Sequence, residues 1–159
     1  MRTITVDVFT FNELSDKAKD KAREWYRSTC FEYVFLDDAF NSLETFCNAF
    51  GVKIKDYSVG TWGHSYIKTD AGNANFRGLK LRDVKRDNMP TGYCLDCDLW
   101  MTFYDTFKAT SDALGAFNAA IDAWVKAVVA DMEYQESDEC IDELMIANEY
   151  EFNENGEVY

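Results

Sequence analysis

Residues 93–103 constrain the fold more than any other stretch of this chain. Tyr93, Leu95, Cys97, Leu99, Met101 and Phe103 alternate with Cys94, Asp96, Asp98, Trp100, Thr102 and Tyr104. This period of two predicts a central antiparallel strand with one face packed and the other solvated or partly covered. Such a strand needs neighbours, and four shorter runs supply them. Residues 3–9 set Ile4, Val6 and Val8 against Thr3, Thr5 and Asp7, residues 52–59 and 65–68 flank a Gly60-Thr61-Trp62-Gly63-His64 turn, and a short run lies near 76–81.

Apolar spacing of three and four marks the helices. Ser15 stands at an N-cap before Ala18, Ala22, Trp25 and Thr29. Leu36, Phe40, Leu43, Cys47 and Phe50 stripe a helix over 34–50 that Gly51 closes. Leu114, Phe117, Ile121, Trp124, Val128 and Met132 define a long one near 111–134, capped by Thr110 or Ser111. Ser137 opens a short last helix containing Cys140, Ile141, Leu144 and Met145. The expected order is β-α-α-β-β-β-β-α-α. It describes one α+β domain over residues 1–159, with an antiparallel sheet of four to five strands and helices packed on one face.

Charge is distributed unevenly. Of 159 residues with a net charge of −13, the first 126 hold all 16 Lys and Arg with 18 acids, and residues 127–159 hold 11 acids and no base. Phosphates would meet a repulsive overall field, so direct nucleic-acid binding through a broad positive face is disfavoured. The clearest basic run, Arg77, Lys80, Arg82, Lys85 and Arg86, is expected to pair with the acidic end inside the fold; the alternative is contact with phosphates, with Trp62, Tyr66 and Phe76 stacking on bases. The opening MRTITVDVFTF lacks the apolar core of a signal peptide. No run of about 18 uncharged apolar residues occurs, so no membrane span is expected, and a cytoplasmic placement is the simplest expectation.

Five cysteines without an export signal read as free thiols. Cys94-Leu95-Asp96-Cys97 has the C-x-x-C spacing of zinc and redox sites. A strand would put the two sulfurs on opposite faces, and one histidine cannot complete a tetrahedral set. Neither metal nor cofactor is therefore implied. His64 is the sole neutral-pH acid–base candidate, and Asp96 with Asp98 would share a strand face. Together with Trp62 and Trp100 these residues line one possible ligand site. No phosphate-binding loop, nucleophile elbow or zinc-protease helix occurs, so binding is favoured over catalysis.

Leu14-Ser15-Asp16-Lys17-Ala18-Lys19-Asp20-Lys21-Ala22 with Trp25, and the ending Ala147-Asn148-Glu149-Tyr150-Glu151-Phe152-Asn153-Glu154-Asn155-Gly156, resemble small accessory proteins of bacteriophages and prophages. A Gly- and Trp-bearing hairpin such as Gly60-Thr61-Trp62-Gly63 is similar to one in the middle of that family. The resemblance implies a phage setting and transfers no catalytic residue. Joined to the acidic end, it suggests an inhibitor of a host nucleic-acid-handling defence system, of anti-CRISPR or anti-restriction type. Glu136, Asp138, Glu139, Asp142 and Glu143 would point outward and occupy a basic groove in place of phosphates.

Overall fold

In the computed structural model, which describes residues 2, 5–74 and 76–159, the run expected to be the central strand is a helix. Among the described residues there are five α-helices and two two-stranded antiparallel pairs, so the four-to-five-stranded sheet is replaced by a helix-dominated architecture. The helices are α1 (Asp16–Thr29), α2 (Leu36–Ala49), α3 (Leu95–Thr110), α4 (Ala113–Glu136) and α5 (Asp138–Ala147). The strands are β1 (Phe9–Thr10), β2 (Ile54–Ser58), β3 (Tyr66–Thr69) and β4 (Glu151–Phe152).

Two compact units result, one of residues 1–33 and 133–159, the other of residues 34–132. In the first, α1 begins where Ser15 Oγ accepts from Ala18 N at 3.3 Å. Helix α5 starts in the same way, with Ser137 Oγ accepting from Cys140 N at 3.2 Å. Phe11, Leu14, Ala18, Ala22, Ile141, Met145 and Phe152 form the unit's core. The two-residue strands β1 and β4 pair Phe9 with Phe152. Of the expected strand at 3–9, Thr3 and Ile4 lie outside the described residues, and Val6 and Val8 are exposed. The C-terminal turn rests against α1 so closely that a Cβ on Gly156, whose φ is +81°, would lie 2.1 Å from the Ala18 carbonyl oxygen.

The second unit is held by rings. Phe46 stacks on Phe117 at 5.2 Å, Phe50 tilts against Phe103 at 4.7 Å, and Trp100 meets Phe46 edge-on at 5.1 Å. Such offset and edge contacts add to simple area burial. Trp124 is fully buried and its Nε1 donates to the Ala39 carbonyl at 3.1 Å, which fixes α4 to α2. Helix α3 shows why the alternation misled. Leu95, Leu99, Phe103 and Phe107 recur every four residues and are all buried, with Trp100 beside them, whereas Asp98, Asp105 and Lys108 are exposed. The set read as the solvated face of a strand contained Trp100, which belongs to the core.

Ser111, in the left-handed region at φ 57°, ends α3, and Asp112 rather than Thr110 or Ser111 caps α4, its Oδ1 accepting from Gly115 N at 3.0 Å. Strands β2 and β3 form the expected hairpin, with Tyr57 opposite Ile67 and Ser58 opposite Tyr66. The run expected near 76–81 is instead irregular chain leading into a 3₁₀ turn at Leu81–Asp83. By length and composition α4 could cross a membrane. Its Phe117, Ile121, Trp124 and Val128 are buried against protein, as in a core helix of equal length.

Candidate functional site

The charge asymmetry sharpens when it is counted by unit rather than along the chain. The first unit carries six bases and sixteen acids, a net of −10, and the second ten bases and thirteen acids, a net of −3. Among the described residues, Asp138, Asp142 and Glu157 find cationic partners on α1. Arg23 grips Asp142 through two bonds of 2.7 Å, holds Asp20 at 2.8 Å, and stands 3.8 Å from Asp138. Arg27 binds Asp138 and the Glu136 carbonyl oxygen, and Lys21 meets Glu157 at 2.7 Å. In the basic run, Arg86 forms a bidentate pair with Asp105 at 2.8 Å.

These pairs shift the groups they join. The hydrogen bonds that Arg23 donates to Asp142, with Asp138 and Asp20 adding to them, raise Arg23 above its ordinary value against the opposing effect of burial. Arg27 holds Asp138 below the usual carboxylate range, and Lys21 does the same for Glu157. Fork-to-carboxylate pairing of the Arg23–Asp142 kind is among the stronger polar contacts a protein makes.

The five carboxylates expected to point outward therefore divide. Asp142 is half-buried and turned onto Arg23, Asp138 is spent on Arg27, and Glu136 accepts from the Tyr33 hydroxyl. Glu139 and Glu143 remain exposed on successive turns of α5. Their field is felt by Tyr134, whose hydroxyl is pushed up chiefly by Glu143, with Glu139 contributing. Glu133, Glu149, Glu151 and Glu154 are exposed as well, and none of these six acids forms an ion pair among the described residues. The sequence pattern found the acidic segment but not which acids α1 neutralises, because Arg23 and Asp142 are 119 positions apart.

The alternative ligand site does not assemble. Trp62, 91% exposed, and His64 project from the hairpin tip, where His64 stacks on Tyr66 at 6.1 Å. Asp96 and Trp100 lie buried on α3, and Asp98 is exposed on it. Residues two apart on a helix point in nearly opposite directions, so Asp96 and Asp98 share no face.

Asp96 instead fastens the loop before α3. Its Oδ2 accepts from Thr91 N at 2.9 Å, Thr91 Oγ1 at 2.9 Å and Gly92 N at 3.0 Å. The Thr91 hydroxyl, having donated to Asp96, accepts from the buried Ser42 hydroxyl at 2.9 Å. Asp96 Oδ1 and Trp100 Nε1, one turn apart, are buried without a hydrogen-bond partner among the described residues.

Cys94 and Cys97 are not on opposite faces, since the segment is the first turn of a helix. Among the described residues no disulfide and no cluster of three metal-binding side chains occurs. No family model, curated protein or solved structure matches the chain.

Proposed function

We propose that this protein acts by binding, and that the acidic unit is the binding element. Its partner is a host protein with a basic, nucleic-acid-binding groove, and the phage-like ends of the chain suggest the cytoplasm of an infected cell as the setting. The observation that carries the reading is the net charge of −10 on one unit of 60 residues, with Glu139 and Glu143 exposed on α5. Uncompensated surface charge of one sign adds little to folding and destabilises through self-repulsion, yet it accelerates docking onto a surface of opposite sign. Asp138 and Asp142 serve a different purpose from Glu139 and Glu143. Bound to Arg27 and Arg23, they hold α5 on α1 and so fix the direction in which the other two carboxylates point.

The test is capture from nuclease-treated bacterial lysate on immobilised protein, wild type beside Glu139→Gln/Glu143→Gln, at low and high salt. Retention of a basic, nucleic-acid-binding protein by wild type at low salt, lost at high salt and weakened in the variant, is the expected result. Equal retention of the same proteins by both forms would remove these carboxylates from the interface.

A further inference from the structure

The helical start of α3 gives the C-x-x-C segment a geometry that a strand would deny it. Cys94 is the N-cap residue and Cys97 the third helical residue, and Cys97 N donates to the Cys94 carbonyl at 3.1 Å, closing one turn. Neighbours three apart on a helix share a side, with Cβ atoms about 5–6 Å apart. A disulfide needs about 3.5–4.5 Å between Cβ atoms and about 4.4–6.8 Å between Cα atoms. The remaining gap is small, and it falls at an N-cap residue whose side chain makes no capping bond.

Access to the two sulfurs is graded. Cys94 is exposed and Cys97 half-buried, the order wanted when one thiol meets a substrate and the other acts from behind it. The neighbouring Tyr93 hydroxyl is pushed up by burial and then by the Cys94 thiol. Cys47 presents the contrast: it is buried, and burial pushes its thiol up to about 12, so it is inert at neutral pH.

We propose that Cys94 and Cys97 form a redox-active dithiol that exchanges with disulfide substrates. Cys94, as thiolate, attacks one sulfur of the substrate disulfide. A mixed disulfide forms and the other substrate sulfur leaves as a thiolate. Cys97, having lost its proton, attacks Cys94 Sγ, which makes the Cys94–Cys97 bond and expels the second substrate sulfur. Two electrons pass from the protein to the substrate, and the two protons lost by the cysteines are taken up by the two product thiolates. This activity goes beyond the binding role and is independent of it.

The full chain, fully reduced, is treated with glutathione disulfide at neutral pH and mapped by peptide mass spectrometry. A Cys94–Cys97 disulfide is expected, with Cys30, Cys47 and Cys140 still reduced. Cys97→Ser should accumulate glutathione on Cys94. Cys94→Ser should react at Cys97 at least about tenfold more slowly, because the attacking thiolate is the accessible one. Circular dichroism should match wild type for both variants, so that lost exchange is not lost fold. A second arm with insulin and dithiothreitol asks whether protein disulfides are also reduced. Turnover there extends the substrate class to proteins, and none confines it to small disulfides. Cys94 and Cys97 remaining reduced, pairing with other cysteines, or reacting at equal rates in the two single variants would overturn the proposal.

Discussion

Asp96 is a buried carboxylate whose value is local. Three donors converge on its Oδ2, two of them backbone N–H groups of the loop before α3. Asp96→Ala leaves those donors unpaired in the interior, where each unsatisfied group costs about 1–3 kcal/mol. Urea denaturation is expected to show a loss on the order of 3 kcal/mol, and Asp98→Ala, at an exposed site, a change within about 0.5 kcal/mol. Comparable losses at the two positions would mean that the helical assignment of 95–110 is wrong. Trp124→Ala removes a fully buried indole together with its bond to the Ala39 carbonyl, and should cost about 3–5 kcal/mol.

At the scale of elements, the pairing of α1 with α5 rests on Arg23, Arg27 and Lys21. Asp138 and Glu157 have depressed values in the folded state, so the stability they contribute is complete above the ordinary carboxylate range. It is lost as pH falls through and below that range. Acid titration followed by circular dichroism should show this loss, and Arg27→Gln should lower stability at neutral pH while flattening the acid limb. An unchanged acid limb in Arg27→Gln would show that Arg27 does not depress Asp138.

The caps and stripes of α1, α2 and α5 were legible because their signals are local: Ser15 and Ser137 accept from the backbone three residues on, and Gly51 ends α2 at φ +67°. Helix α3 was not legible as a helix. An apolar residue every four positions (Leu95, Leu99, Phe103) is also apolar at every second position once Cys97 and Met101 fill the gaps, so both periods fit. Trp100 and Tyr104 on the supposed solvated face were the discriminating sign. Without that strand the candidate set Trp62, His64, Asp96, Asp98 and Trp100 had nothing to gather it, and the same error hid the shared face of Cys94 and Cys97.

For the whole molecule, the central fact is that one unit carries −10 and the other −3. The excess is legible in the sequence, but the pairing of Asp138, Asp142 and Glu157 with α1 is not, because each pair spans more than a hundred positions. Replacing Glu139 and Glu143 by Gln should leave the melting temperature unchanged or slightly higher, since like charges one turn apart on a helix repel. Exposed charge pairs contribute about 0.2–1 kcal/mol each, so the double variant should weaken partner binding by roughly 0.4–2 kcal/mol, most at low ionic strength. The most direct measurement is competition. The captured host protein is loaded with a labelled oligonucleotide, and release of the label is followed as this protein is added at low and then at high salt. Displacement by wild type at low salt, abolished at high salt and shifted to higher concentration for Glu139→Gln/Glu143→Gln, is the expected result. A partner that binds this protein and the oligonucleotide at the same time, with no displacement at any salt concentration, would contradict an acidic face that stands in for phosphates.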